Sequence, residues 1–142
     1  MATNFSICLW HQDAKEMATY YSNIFNDFKL LSENPMASVF EMNGQRFMCL
    51  NNAIPNIQFN EKISFVLTVD TQTEIDTYWD YFCQEGQAGQ CGWLTDKYGV
   101  SWQIVPSILG KLMTNPETAP KATYAFMQMS KFDIAKLEEA VR

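Results

Sequence analysis

One histidine, His11, is the whole supply of imidazole in this sequence. Any metal site that draws two histidines from one chain is therefore excluded. The four cysteines, Cys8, Cys49, Cys83 and Cys91, fall 41, 34 and 8 residues apart. No C-x-x-C occurs among them, so neither a zinc knuckle nor a dithiol redox pair is supported. They are expected to be reduced and mostly core-filling. A thiol nucleophile at Cys91 would need a base beside it, and the sole histidine lies far upstream. The His11-Gln12-Asp13 run offers a His–Asp pair, yet Asp13 is better placed as a helix cap, which leaves His11 at a solvent-facing corner. Glu85-Gly-Gln-Ala-Gly-Gln90 is glycine-rich but lacks the Lys-Ser/Thr of a phosphate loop, so it reads as a loop or hinge. Asp96-Lys97 reads as turn chemistry. Trp10, Trp93 and Trp102 sit in extended segments, where an aromatic box for a planar ligand competes with ordinary core packing.

These groups belong to a chain of 142 residues, the size of one domain. Apolar residues make up 47% and charged residues 18%, a globular composition. Ten Lys and Arg against sixteen Asp and Glu give a net charge of −6. That balance argues against nucleic acid and anionic membranes as partners, because both are held by clustered cations. The opening residues carry no basic segment followed by a long apolar one, and no apolar run approaches eighteen residues. A cytoplasmic location is the expectation.

The elements that must position these side chains come as an internal repeat at an offset of 58 residues. Ser6-Ile-Cys-Leu-Trp10 reads as a strand, and Asp13 with Glu16 as a helix start. Ala14, Met17, Ala18, Tyr21, Ile24 and Phe25 then follow the spacing of one helix face. The same order returns with the strand Ser64-Phe-Val-Leu-Thr68 and the capping box Thr71–Glu74. Ile75, Tyr78, Trp79, Phe82 and Cys83 form the second stripe. Extended segments follow each helix: residues 28–32, 37–41 and 46–50 in the first half, 90–95 and 100–105 in the second. Asn43-Gly44 is a strong hairpin signal. A strand near 85–88 would be very short or absent. The fold class is thus α+β, two β-α-β-β-β-type modules: module 1 about 4–56, module 2 about 60–106, with a helical tail over 107–142. In the tail a short helix carries Ile108, Leu109, Leu112 and Met113. A second runs from about 116 or 119 to 129, and a third from Asp133 to Val141. Met113, Met127 and Met129 suit an adaptable interface.

Cys8-Leu-Trp10 with Ala14-Lys-Glu16-Met-Ala-Thr-Tyr20 resembles the opening of PhnB-like proteins of the vicinal oxygen chelate (glyoxalase/bleomycin resistance/dioxygenase) superfamily. Phe40-Glu-Met-Asn-Gly44-Gln-Arg-Phe-Met48-Cys-Leu-Asn51 and Phe59-Asn-Glu-Lys-Ile-Ser64-Phe are similar to its next signatures. The most specific stretch is Gly89-Gln-Cys-Gly-Trp93-Leu-Thr-Asp96-Lys-Tyr-Gly99-Val-Ser-Trp102-Gln103-Ile-Val-Pro106. The resemblance spans nearly the whole chain. It implies paired modules forming a curved mixed sheet around a pocket, in a single domain over 1–142, and a homodimer. In the superfamily's metalloenzymes the first and last strands of each module offer inward His or carboxylate ligands. The matching positions here are Ser6, Ser64, Gln103 and Met48, or Cys49 if the register slips by one. Such a set does not build a divalent catalytic site, so neither metal nor cofactor is expected. A ligand pocket lined by Ser6, Trp10, Met48, Ser64, Cys91, Trp93 and Gln103 is the leading expectation, for a small molecule of undefined identity. The rivals are a metal-independent enzyme with Cys91, Asp96 or Gln103 near the chemistry, and a structural dimer with a collapsed core. Some relatives carry a demethylubiquinone methyltransferase label, but nothing here resembles a glycine-rich loop for S-adenosylmethionine.

Overall fold

The computed structural model describes residues 3–51, 54 and 56–142. The chain divides into two compact units, Met1–Ile57 and Gln58–Arg142. The expected end of the first module, near residue 56, borders positions outside the described residues.

In the first unit the order is β1 (Ser6–His11), α1 (Ala14–Ser22), β2 (Phe28–Glu33), β3 (Ala37–Met42) and β4 (Gln45–Asn51). The sheet runs β1-β4-β3-β2, with β1 parallel to β4 and the other neighbours antiparallel. The helix starts where Asp13 Oδ1 accepts from the Glu16 amide at 3.0 Å, as the sequence predicts. The Asn51 side chain ties the strand end to it, accepting from the Ala14 amide at 2.8 Å. Asn43 and Gly44 both take positive φ between the paired Met42 and Gln45, the type I′ geometry that suits a twisted hairpin. Under α1 lies an aromatic stack in which Phe40 sits 4.9 Å from Phe28 and 5.7 Å from Phe47. Met17, Tyr21 and Cys49 complete this buried layer.

The second unit repeats the plan. It has β5 (Ser64–Val69), α2 (Gln72–Glu85), β6 (Gln87–Ala88), β7 (Trp93–Thr95) and β8 (Ser101–Pro106), in the sheet order β5-β8-β7-β6. The capping box on α2 has both of its bonds. Phe82 stacks on Trp102 at 4.8 Å, and Ile75 and Ile104 are fully buried beside them. The tail, α3 (Ile108–Thr114), α4 (Ala119–Phe126) and α5 (Ile134–Ala140), closes this unit.

The α+β class and the paired modules are as expected, with each module carrying its own four-stranded, unclosed mixed sheet. The segment near 85–88, expected to be very short or absent, is a two-residue edge strand, paired Gln87 to Thr95 and Ala88 to Leu94. Other local expectations need correction. The strand expected over 90–95 starts only at Trp93, because Cys91 and Gly92 both have positive φ and form a turn. His11 is half-buried as the last residue of β1, not solvent-facing. Of the four thiols only Cys49 is fully buried, and Cys8 is exposed. In the tail Met127 is exposed while Met129 is buried, so the methionines do not share one surface.

Candidate functional site

In a strand, alternate side chains share a face, and residues paired across strands share it too. In the first unit Leu9 is buried beneath α1, so Ser6, Cys8 and Trp10 project from the opposite, helix-free face. The parallel register sets Ser6 beside Arg46, Cys8 beside Met48 and Trp10 beside Leu50. The next strand adds Glu41, Val39 and Ala37 to these rows. Ser6, Trp10 and Met48 therefore lie on one open face, where Trp10 keeps 41% of its surface exposed. Arg46 and Glu41 form a charged pair there at 3.5 Å. The sequence reading missed Arg46, Cys8 and Val39 on this face, although the alternation from Ser6 and the Asn-Gly turn together encode it.

The second unit builds the same face with different chemistry. Ser64 pairs with Ser101, and Val66 with Gln103. Trp93 lies across from Gln103, and Thr95 across from Ser101. Gln103 Nε2 donates to Ser64 Oγ at 3.0 Å, which uses one of the amide's two N–H groups. Ser64, Trp93 and Gln103 are thus brought together. Val66, 58% exposed, joins them as a residue the sequence reading missed. Met48 occupies the position of Gln103 within its own module: each pairs with the residue two after the first-strand serine. Cys49 is on the helix side, so the register selects Met48 of the two alternatives.

Three other candidates are set apart. Cys91 is not on a strand but in the turn before Trp93, with φ of 59°. Trp102 is core. Asp96 is buried, and its carboxylate accepts from the Tyr98 amide at 2.9 Å, the Val100 amide at 3.1 Å and Trp102 Nε1 at 2.9 Å. These bonds lock the β7–β8 turn and hold the core indole. Asp96 is a structural carboxylate.

The thiols are shaped by burial. Cys49 is pushed up to about 12 by loss of solvent, with a smaller contribution from Cys8. Burial also raises Cys8 and Cys83. At the exposed edge of α2, hydrogen bonds from Lys131 and then Gln72 lower Asp76. Two clefts of about 400 and 380 Å³ lie away from the sheet faces. One is lined by Gln72, Asp76, Ser130 and Lys131 among others, the second by Asp13, Lys15, Glu33 and Asn51 among others.

A divalent cation asks for carboxylate, imidazole or thiolate donors, and the four register positions hold two hydroxyls, a thioether and an amide. Among the described residues no three His, Cys, Asp or Glu side chains converge. The donor set does not fit the superfamily's metal.

Two β-α-β-β-β modules of this plan define the class, the vicinal oxygen chelate superfamily. The match then narrows. Residues 3–105 match the family described as 3-demethylubiquinone-9 3-methyltransferase, and the chain belongs to that family. Among solved structures it is similar to a PhnB protein from Bacillus cereus that carries the same methyltransferase label. The identity is 28% and the TM-score 0.66, over 74% of this chain and 100% of that one. Protein PA1353 from Pseudomonas aeruginosa shares the fold at 17% identity and a TM-score of 0.61, covering 74% and 98%. A glyoxalase/bleomycin resistance protein/dioxygenase family enzyme from Burkholderia phytofirmans does so at 12% and 0.55, covering 71% and 95%. No curated protein matches the sequence. Among the described residues no helix is long and apolar enough to cross a membrane.

Proposed function

We propose that the chain is a small-molecule-binding protein that works without a metal ion, through the open faces of its sheets. The observation that carries this reading is the neutral Gln103–Ser64 pair beside Trp93. It occupies positions from which the superfamily's metalloenzymes would draw ligands. An amide, a hydroxyl and an indole on a partly apolar face orient a ligand by hydrogen bonding and stacking. A metal-independent enzyme would need a reacting group there, and Asp96 is already engaged by three donors in the β7–β8 turn. The methyl transfer in the family's name finds no nucleotide loop in the glycine-rich segment. A side chain at Gly86 would strike backbone atoms of Thr95 and Phe82, and Gly89 donates to the Trp93 carbonyl. Both glycines serve close packing. The same reading makes 1–142 a single functional domain working as a cytoplasmic homodimer. Four free thiols suit a reducing compartment, and light scattering at micromolar concentration tests the dimer.

A thermal-shift panel of small metabolites, run with chelator throughout, tests the binding. The expected result is at least one compound that raises Tm in the native chain and loses at least tenfold in affinity in Gln103→Leu. A panel without hits, or a hit indifferent to Gln103→Leu and Trp93→Ala, overturns the reading.

A further inference from the structure

The tail lies beyond the family match, which ends at residue 105. Between α4 and α5 its backbone runs along the β6–β7 turn. The Cys91 amide donates to the Met129 carbonyl at 2.8 Å, and the Gly92 amide to the Ser130 carbonyl at 2.7 Å. Ser130 Oγ donates to the Gly89 carbonyl, closing the third side of the turn. The Phe132 ring occupies the space where a Cβ on Gly92 would stand. Gly92 then passes the contact on, since its carbonyl accepts from the Ile104 amide at 2.9 Å, next to Gln103. Trp93 follows Gly92 directly, and its amide closes the turn on the Gln90 carbonyl at 3.1 Å. At its far end the strap is pinned to α2. Gln72 Nε2 donates to the Phe132 carbonyl at 2.9 Å, Gln72 Oε1 accepts from the Ile134 amide at 2.8 Å, and Lys131 meets Asp76 at 2.8 Å.

A turn whose two central residues both hold positive φ, one of them a cysteine, is poorly specified by its own sequence. Its conformation must come from what holds it, and beyond its own closing bonds and the Ile104 amide on the Gly92 carbonyl, that is the strap. We infer that the tail segment Met129–Phe132 is a clamp that sets the position of Trp93 on the open sheet face, with Ser130, Phe132 and Gln72 as positioning residues. The inference rests on the reading of that face as the ligand-binding one. Its coupling route is the continuous backbone chain from the Ser130 carbonyl through Gly92 to Ile104. Gln72 is the informative member, because it touches the tail and not the turn.

The test needs no ligand, so its failure is separable from a failure of the binding panel. The full chain is labelled with 5-fluorotryptophan and Trp93 is assigned with Trp93→Phe. The double variant Gln72→Ala/Ser130→Ala is compared with the native chain by fluorine NMR and amide hydrogen exchange. A chain ending at Gln128 serves as the fully released form, and the double variant decides if that chain does not fold. The expected result is a shifted or broadened Trp93 resonance and at least tenfold faster exchange at Cys91 and Gly92, with the Trp10 resonance and the β5–β8 amides unchanged. An unchanged Trp93 resonance overturns the inference. So does a uniform acceleration across the second unit, which would mark the tail as a general stabiliser only.

Discussion

The two modules share a backbone plan and differ in what they do with polar groups. In the first, the open face carries an ion pair, Arg46–Glu41, among Cys8, Met48 and Trp10, and the buried side holds Ser38, whose hydroxyl has no hydrogen-bond partner among the described residues. In the second, the open face is neutral, with Gln103, Ser64 and Trp93, and the buried Asp96 has three donors. Even the hairpins diverge. The first has Asn43-Gly44, both suited to positive φ, and one bond from the Asn43 amide to the nearby Asp27 carbonyl at 2.9 Å, while the β6–β7 turn is held by the tail some 40 residues away. Alternation, caps and turns suffice to duplicate a scaffold. The chemistry of each face is then decided by a few substituents at fixed register positions.

That contrast can be broken most forcefully at the turns. Asp96→Ala strands two amides and a buried indole N–H and is expected to cost about 3 kcal/mol or more in urea unfolding. Asn43→Ala, which only strains a left-handed residue in the first module, should cost about 1 kcal/mol. Equal effects would erase the distinction between the two turns. The thiols give the next largest difference. At pH 8, Cys8 is expected to react with a maleimide at least about a hundredfold faster than Cys49, whose pKa stands near 12. Comparable rates in folded protein would show that the first module's core is open. Ser38→Ala removes a buried, unpartnered hydroxyl and should stabilise the chain by about 1 kcal/mol, where most core changes destabilise. A loss of stability would reveal a partner for Ser38.

The smallest effect concerns the strap. Asp76 is held below its ordinary value, so its contribution is present at neutral pH and disappears as pH falls through that depressed value, below about 3.8. Lys131 is raised, so its share persists below about 10.5 and is lost as pH rises through the higher folded value. The Lys131 and Asp76 side chains keep 36% and 43% of their surface exposed, and screening keeps the effect small. Protection of the Ile134 amide, taken relative to its intrinsic exchange rate at each pH, should therefore fall at both extremes in the native chain and lose that dependence in Asp76→Asn. A native profile identical to that of Asp76→Asn would remove the ion pair from the account.

What could be read from the sequence follows the range of the forces involved. Asp13, Thr71–Glu74 and Asn43-Gly44 act within a few residues, and each sits where the sequence placed it. The duplicated strand–helix order was equally legible, since it rests on periodicity. The two-residue β6 offers no alternation to detect. Cys91 has no local signal for a left-handed conformation, because its turn is held by Met129 and Ser130 some 40 residues later. The division between core Trp102 and open-face Trp93 depends on register, as Trp102 pairs with Leu94 and Trp93 with Gln103. His11 looks like a corner in sequence because it precedes the helix cap directly, whereas in the fold it ends a strand packed against its neighbours. Arg46 carries no signal in its residue type alone, and only its register beside Ser6 sets it on the open face.

Recognition without a metal is tested most directly by calorimetry. The best compound from the panel is titrated into chelator-dialysed chain, and again after addition of zinc, manganese or magnesium. Saturable binding with the same Kd, within about twofold, is expected in every titration. Binding that appears only once a divalent ion is restored would contradict it.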